Sequence, residues 1–253
     1  MRKYLSYFML LARCSIYRLL AVLLSMAAVE FGMFYYALQM TLAQIGMDSQ
    51  QPLGFEGVLK SSYAVFVFAA AFCLFVLFLA DIFASKKSRN DYTLGRLQLS
   101  KPCIIAMQTL YNFLCFGMLM AAQALLLYGM FCLYTTMAPA GLVSGQTFFL
   151  SCFRSNFVAA VIPLSNPLRI TRNIVLMVSY AFVLAVLCHF DPQQKKKYNL
   201  LSFFLTMTML WFVRDYDGYL YDITLLLTAI FVGIGGTLWK LFMGEDDDEQ
   251  QTL

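Results

Sequence analysis

The chain has 253 residues, 61% of them hydrophobic and only 13% charged, and its mean hydropathy is +0.70. About a quarter of an ordinary soluble domain is charged, so this sequence cannot clothe itself in polar surface. It reads as an all-α polytopic membrane protein with room for about six spans of roughly 20 residues. A separate soluble catalytic domain does not fit, and the formal net charge of +4 resides mostly in basic loops suited to anionic cytoplasmic lipid rather than to nucleic acid.

Residues 1–18 are amphipathic at helical spacing. At about 100° per residue Arg2, Ser6 and Arg13 share one arc, and Tyr4, Leu5, Phe8, Leu11 and Ala12 lie opposite. This predicts an elbow helix in the cytoplasmic interface, feeding a six-helix transmembrane body over residues 19–243. Ser25-Met26-Ala27 vaguely resembles a signal cleavage site, but the apolar run continues to Leu42, too long for a signal core.

The spans are expected over residues 19–42, 62–83, 103–134, 174–189, 199–213 and 219–243. The third exceeds the hydrocarbon thickness at about 1.5 Å per residue and must tilt or project. Between the second and third lies residues 84–102, ASKKSRNDYTLGRLQLSKP, with Lys86, Lys87, Arg89, Arg96 and Lys101 against Asp91 alone. Such a basic loop stays in the cytoplasm. Asn90 or Asp91 can cap a short helix through Tyr92, Thr93, Leu94 and Arg96, and Pro102 suits the first turn of the next span.

Residues 138–173 form the hard segment, with an apolar run over 147–162 interrupted by Arg154 and followed by Pro163 and Pro167. A central arginine costs about 2.5 kcal/mol or more. A seventh crossing would also export Lys195, Lys196 and Lys197. The run is therefore expected to be an interfacial or re-entrant helical segment on the outer face. Residues 244–253, GEDDDEQQTL, read as an acidic cytoplasmic tail, which puts both termini inside.

The chemistry-bearing residues are few. No Gly-Lys pair exists, so the usual nucleotide-binding loop is absent. The seven cysteines are scattered without a C-x-x-C pair, and the one histidine, His189, has only Cys188 beside it. Neither a metal nor a catalytic cluster is indicated, and the chain is not expected to be an enzyme by itself. Glu30 is the exception, about eleven residues and roughly 16 Å into its span. Asn112 and Thr206 come to a similar level. Such a polar point either lines a substrate or proton path or is an acid that locks helices together.

The segment YTLGRLQLSK (Tyr92, Thr93, Leu94, Arg96, Leu97, Ser100, Lys101) resembles the stretch before the third span in permease subunits of type V, export-type ABC transporters of bacteria. RSNFVAAVIPLSNPLRITRN (Arg154, Phe157, Pro163, Leu164, Arg172, Asn173) is similar to a stretch in short members. The pattern covers nearly the whole chain, although many members place their re-entrant pair before the last span. The resemblance implies a dimer with a second permease copy or paralogue in the bacterial cytoplasmic membrane. It also implies two separate ATP-binding subunits that carry the ATP and Mg, so that no cofactor resides in this chain. Asp91, Tyr92, Thr93, Leu94 and Arg96 become the ATPase-coupling contacts, and export of a peptide, a lipid-like molecule or a small amphiphile would suit it, antimicrobial-peptide resistance included. Arg154, Arg169 and Arg172 are outer-face candidates for meeting substrate. A secondary transporter or channel, or a structural membrane subunit of a larger complex, are the rival readings.

Overall fold

The computed structural model describes residues 2–45, 54–80, 100–138, 146–164, 166–189 and 219–235, and every regular element among them is a helix. Among the described residues three helices are long and apolar enough to cross a membrane, and a bent pair makes a fourth candidate. These are α1 (Arg2–Ile45), α4 (Lys101–Met137) and α7 (Pro167–His189), with the pair formed by α2 (Phe55–Ser61) and α3 (Ala64–Ala80). Of the expected spans, residues 199–213 and the final eight residues of the last, 236–243, lie outside the described residues, as do residues 81–99.

α1 contains no proline and a single glycine, Gly32, over its 44 residues, so nothing stops it once started. The elbow expected over residues 1–18 is therefore not a separate helix. Tyr7, Leu11, Ser15, Leu19, Val22, Met26, Glu30, Phe34, Leu38 and Thr41 are all buried at steps of three or four. That spacing continues through Arg18 into the apolar run and keeps one face on the bundle. At about 1.5 Å per residue α1 is about 66 Å long, roughly twice a hydrocarbon core.

α2 and α3 meet at a bend of 56°. Ser61 and Ser62 donate through Oγ to the carbonyls of Val58 and Leu59 at 2.9 and 2.7 Å, closing the end of α2. Tyr63 then takes the left-handed region at φ 54°, which burdens any residue with a Cβ. Tyr63 is exposed, with one ring contact to Phe66. Tyr63→Gly is expected to stabilise the protein by about 1 kcal/mol, read as a raised thermal midpoint in detergent. A lowered midpoint would show that the ring contact outweighs the strain.

α4 has Pro102 in its first turn, as the sequence suggests, follows Ser100, which makes no side-chain capping bond, and ends at Met137. The apolar run after it folds as two short helices, α5 (Thr147–Arg154) and α6 (Asn156–Val161). Ser155 separates them, its side chain accepting from the Val158 amide at 3.4 Å. Neither is long enough to cross a bilayer. Phe148 packs on Tyr128 and Phe131 of α4, and Phe157 on Phe68 of α3. α7 begins at Pro167, seven residues before the expected start. Asn166 Oδ1 accepts from the Leu168 amide at 3.0 Å, and proline suits a first turn.

α8 (Tyr219–Thr228) passes directly into a π-helical turn, Ala229–Gly235. Ser179 Oγ of α7 donates to the Ala229 carbonyl at 3.0 Å where the pitch changes. The centre of the bundle is aromatic. Phe72 of α3 stacks on Phe116 of α4 at 5.3 Å, and Tyr180 of α7 meets these rings at 5.6 and 6.0 Å.

These contacts fix the directions of the helices. Tyr7 meets Gln108 and Glu30 meets Gln123, so α1 and α4 run the same way. Phe72 meets Tyr180 and Ala80 meets Cys188, so α3 and α7 run together the other way. Asp222 meets Arg172 and Ala229 meets Ser179, so α8 follows α7.

Candidate functional site

Two buried polar centres interrupt this apolar bundle. The first lies in the contact of α1 with α4. Glu30 is 0% exposed, and the Gln123 amide donates to its Oε2 at 2.8 Å. Met26 and Phe34 flank Glu30 on α1, and Leu119 and Leu127 flank Gln123 on α4, all of them buried. Above Phe34 the ring of Phe55 bridges to Phe131 and Tyr134. The acid is thus sealed in apolar surface on the seam between two spans.

Further along the same seam, Tyr7 donates to Gln108 Oε1 at 3.3 Å, and the Ser15 and Tyr111 hydroxyls share a bond of 2.5 Å. Asn112 donates to the Ala181 carbonyl of α7 at 3.2 Å. Four buried atoms here find no partner among the described residues: Glu30 Oε1, Gln123 Oε1, Gln108 Nε2 and Asn112 Oδ1. Each such atom costs about 1–3 kcal/mol away from water.

The second centre joins α6, α7 and α8. Arg172 is 5% exposed and Asp222 4%. Arg172 Nη1 donates to Asp222 Oδ1, while its Nε and Nη2 donate to Asn173 Oδ1 at 3.2 and 2.9 Å. Asn173 in turn donates to the Ala160 carbonyl at 2.7 Å. Arg169 Nε adds a bond to Asp222 Oδ2 at 3.4 Å. A guanidinium with its donors directed in this way is well held for a buried ion.

The structure therefore distributes the residues singled out in the sequence. Glu30 and Asn112 are both buried on the bundle axis, yet they do not pair; Glu30 takes Gln123, eleven positions beyond Asn112. Arg169 and Arg172 are one turn apart on α7 and share Asp222, whereas Arg154 is exposed at the end of α5, within electrostatic reach of Glu56. Asp91, Tyr92, Thr93, Leu94, Arg96 and Thr206 lie outside the described residues. Gln108, Gln123 and Asp222 escaped the sequence reading. For the two glutamines the signal was present: single polar residues inside an apolar run, on the face of α4 that also carries Asn112. Among the described residues no three of His, Cys, Asp and Glu gather as a metal site. No protein-family model, curated protein or solved structure matches the chain.

Proposed function

We propose that the chain is the membrane permease subunit of an ABC transporter. It would export a peptide, lipid-like or small amphiphilic substrate, with ATP hydrolysed on separate subunits and a second permease copy or paralogue completing the path. One observation carries this reading. The start of α1, the end of α3, the start of α4 and the end of α7 gather at one end of the bundle. Cys188 Sγ donates to the Leu79 and Ala80 carbonyls at 3.5 and 3.4 Å, Tyr7 lies within electrostatic reach of Cys188, and Tyr7 bonds Gln108.

In the sequence, basic residues sit on or next to those helix ends: Lys3 and Arg13 on α1, Lys86, Lys87 and Arg89 between α3 and α4, Lys101 at the start of α4, and Lys195, Lys196 and Lys197 after α7. Basic ends are held in the cytoplasm, so residues 84–102 would face the compartment where a nucleotide-hydrolysing partner works. The helix directions support six crossings with both termini inside, because α7 and α8 run the same way and the chain between them joins opposite ends of the bundle. Export, the bacterial cytoplasmic membrane and the ATPase partner complete the proposal. The buried Glu30 favours a second reading, an ion-coupled secondary transporter that needs no ATPase.

Co-expression with an ATP-binding cassette encoded beside the gene, followed by co-purification and transport in vesicles, separates the two. In the proposed complex, Tyr92→Asp with Leu94→Asp is expected to leave the companion's ATPase active while transport falls about tenfold or more. Truncating even one apolar anchor of a docking contact removes about 1–2 kcal/mol. Undiminished, ATP-dependent transport by the double variant would remove these residues from the coupling contact, and ATP-independent transport would remove the ATPase.

A further inference from the structure

We propose that Glu30 holds a proton on Oε1 and shares it with Gln123 Oε1, so that a neutral acid–amide pair closes the α1–α4 contact. The reasoning is a count of hydrogens. An ionised carboxylate only accepts. Gln123 Nε2 already donates to Glu30 Oε2 at 2.8 Å, which leaves Glu30 Oε1 and Gln123 Oε1 as two fully buried acceptors with no donor among the described residues. One hydrogen on the acid satisfies both and closes a reciprocal two-bond ring with the amide.

Among the described residues the surroundings offer no other donor. A bridging water needs two to four polar partners and room, but Met26, Phe34, Leu119 and Leu127 flank the pair and are buried. A cation would need more oxygens than these two supply. Nor does a neighbouring charge compensate an ionised Glu30. On α1 the nearest cation in sequence is Arg18, three turns away. On α2 the charged groups are Glu56 and Lys60, of which Glu56 is engaged by Arg154. On α3 the titratable group is Cys73. On α4 the groups are Lys101, Cys103, Tyr111 and Cys115 before Gln123 and Tyr128, Cys132 and Tyr134 after it. None of these is an electrostatic partner of Glu30, whose single polar partner among the described residues is Gln123.

The consequence is a chemical latch. With the proton in place the two long helices meet through a neutral pair between apolar layers. Without it, a carboxylate with one donor sits where burial of a charge is most unfavourable, and the contact is driven apart. The site thus binds a proton as its ligand, and this holds whether or not an ATPase drives the chain.

The test is infrared difference spectroscopy of the full-length protein in nanodiscs at neutral pH. The wild-type spectrum minus that of Glu30→Gln is expected to show the carbonyl stretch of a protonated carboxyl. Gln123→Leu, which keeps the acid but removes the amide, is expected to shift that band to higher frequency. Glu30→Gln restores both hydrogen bonds as an amide–amide pair, so it is expected to purify monodisperse with an unchanged thermal midpoint. A difference spectrum carrying carboxylate stretches instead would overturn the proposal. So would a band unmoved by Gln123→Leu, or a Glu30→Gln protein that fails to fold.

Discussion

Asp222→Ala is expected to be among the most damaging single substitutions in the bundle, lowering stability by about 3–5 kcal/mol, the usual penalty for removing one partner of a buried ion pair. The loss is not that of one bond. Asp222 is shared by Arg172 and Arg169, so its removal leaves two guanidiniums side by side, one of them almost fully buried. The remaining partner of Arg172, Asn173 Oδ1, is neutral and cannot balance the charge. Thermal unfolding in detergent, followed by circular dichroism, should show the midpoint fall or the folded protein disappear. Combining Asp222→Leu with Arg172→Met is expected to recover much of the loss, since apolar replacement of a whole buried pair is often neutral or stabilising. A double variant as unstable as Asp222→Ala would mean that the cluster acts through Arg169 or Asn173 instead.

Phe116→Ala should come close behind, at about 3–5 kcal/mol. Its ring stacks on Phe72 at an interplanar angle of 19° and lies 6.0 Å from both Phe75 and Tyr180. It is the place where α3, α4 and α7 touch one another. Lipid tails are as apolar as leucine, so the cost here is lost contact and an unfilled cavity rather than exposure to water. Phe116→Leu keeps most of the volume and is expected to cost less than half as much, in the same unfolding measurement. Equal costs for the two substitutions would show that ring stacking, not filled volume, holds the three helices.

Much of the fold was legible because membrane-length apolar runs leave little choice. The runs holding α1, α3, α4 and α7 are each helical where expected, and the run broken by Arg154 does not form a crossing helix. The boundaries were harder. The amphipathic spacing of residues 1–18 marks an interfacial face but gives no helix end at Arg18. A helix stops at a breaker or a cap, and no such residue stands between Arg18 and Glu30. At α7 the opposite occurred: Asn166-Pro167 is a start signal, but with Pro163 nearby the prolines read as a loop. That moved Arg169 and Arg172 out of a helix and onto a surface.

The polar centres were half visible. Glu30 and Asn112 stand out by depth, yet depth counted from the start of a span cannot give the register between two spans. α1 begins well before the apolar run, so Ser15, not Glu30, comes level with Tyr111 and Asn112. Gln123 was within reach of periodicity, since it shares the buried face of α4 with Gln108, Asn112, Cys115 and Leu119. Asp222 needed the third dimension, because its partners are about fifty positions earlier in the chain.

The unbroken course of α1 from Arg2 to Ile45 makes it a drive shaft. Long helices bend gently and kink only where a proline, a glycine–serine pair or a bulge gives way, and α1 offers none of these. A rotation of its basic foot would carry Glu30 with it. A turn of about 100°, one residue's worth, would lift Glu30 off Gln123 and bring Val29 or Phe31, now exposed, into the gap. Such a rotation and the opening of the Glu30–Gln123 contact would be one movement.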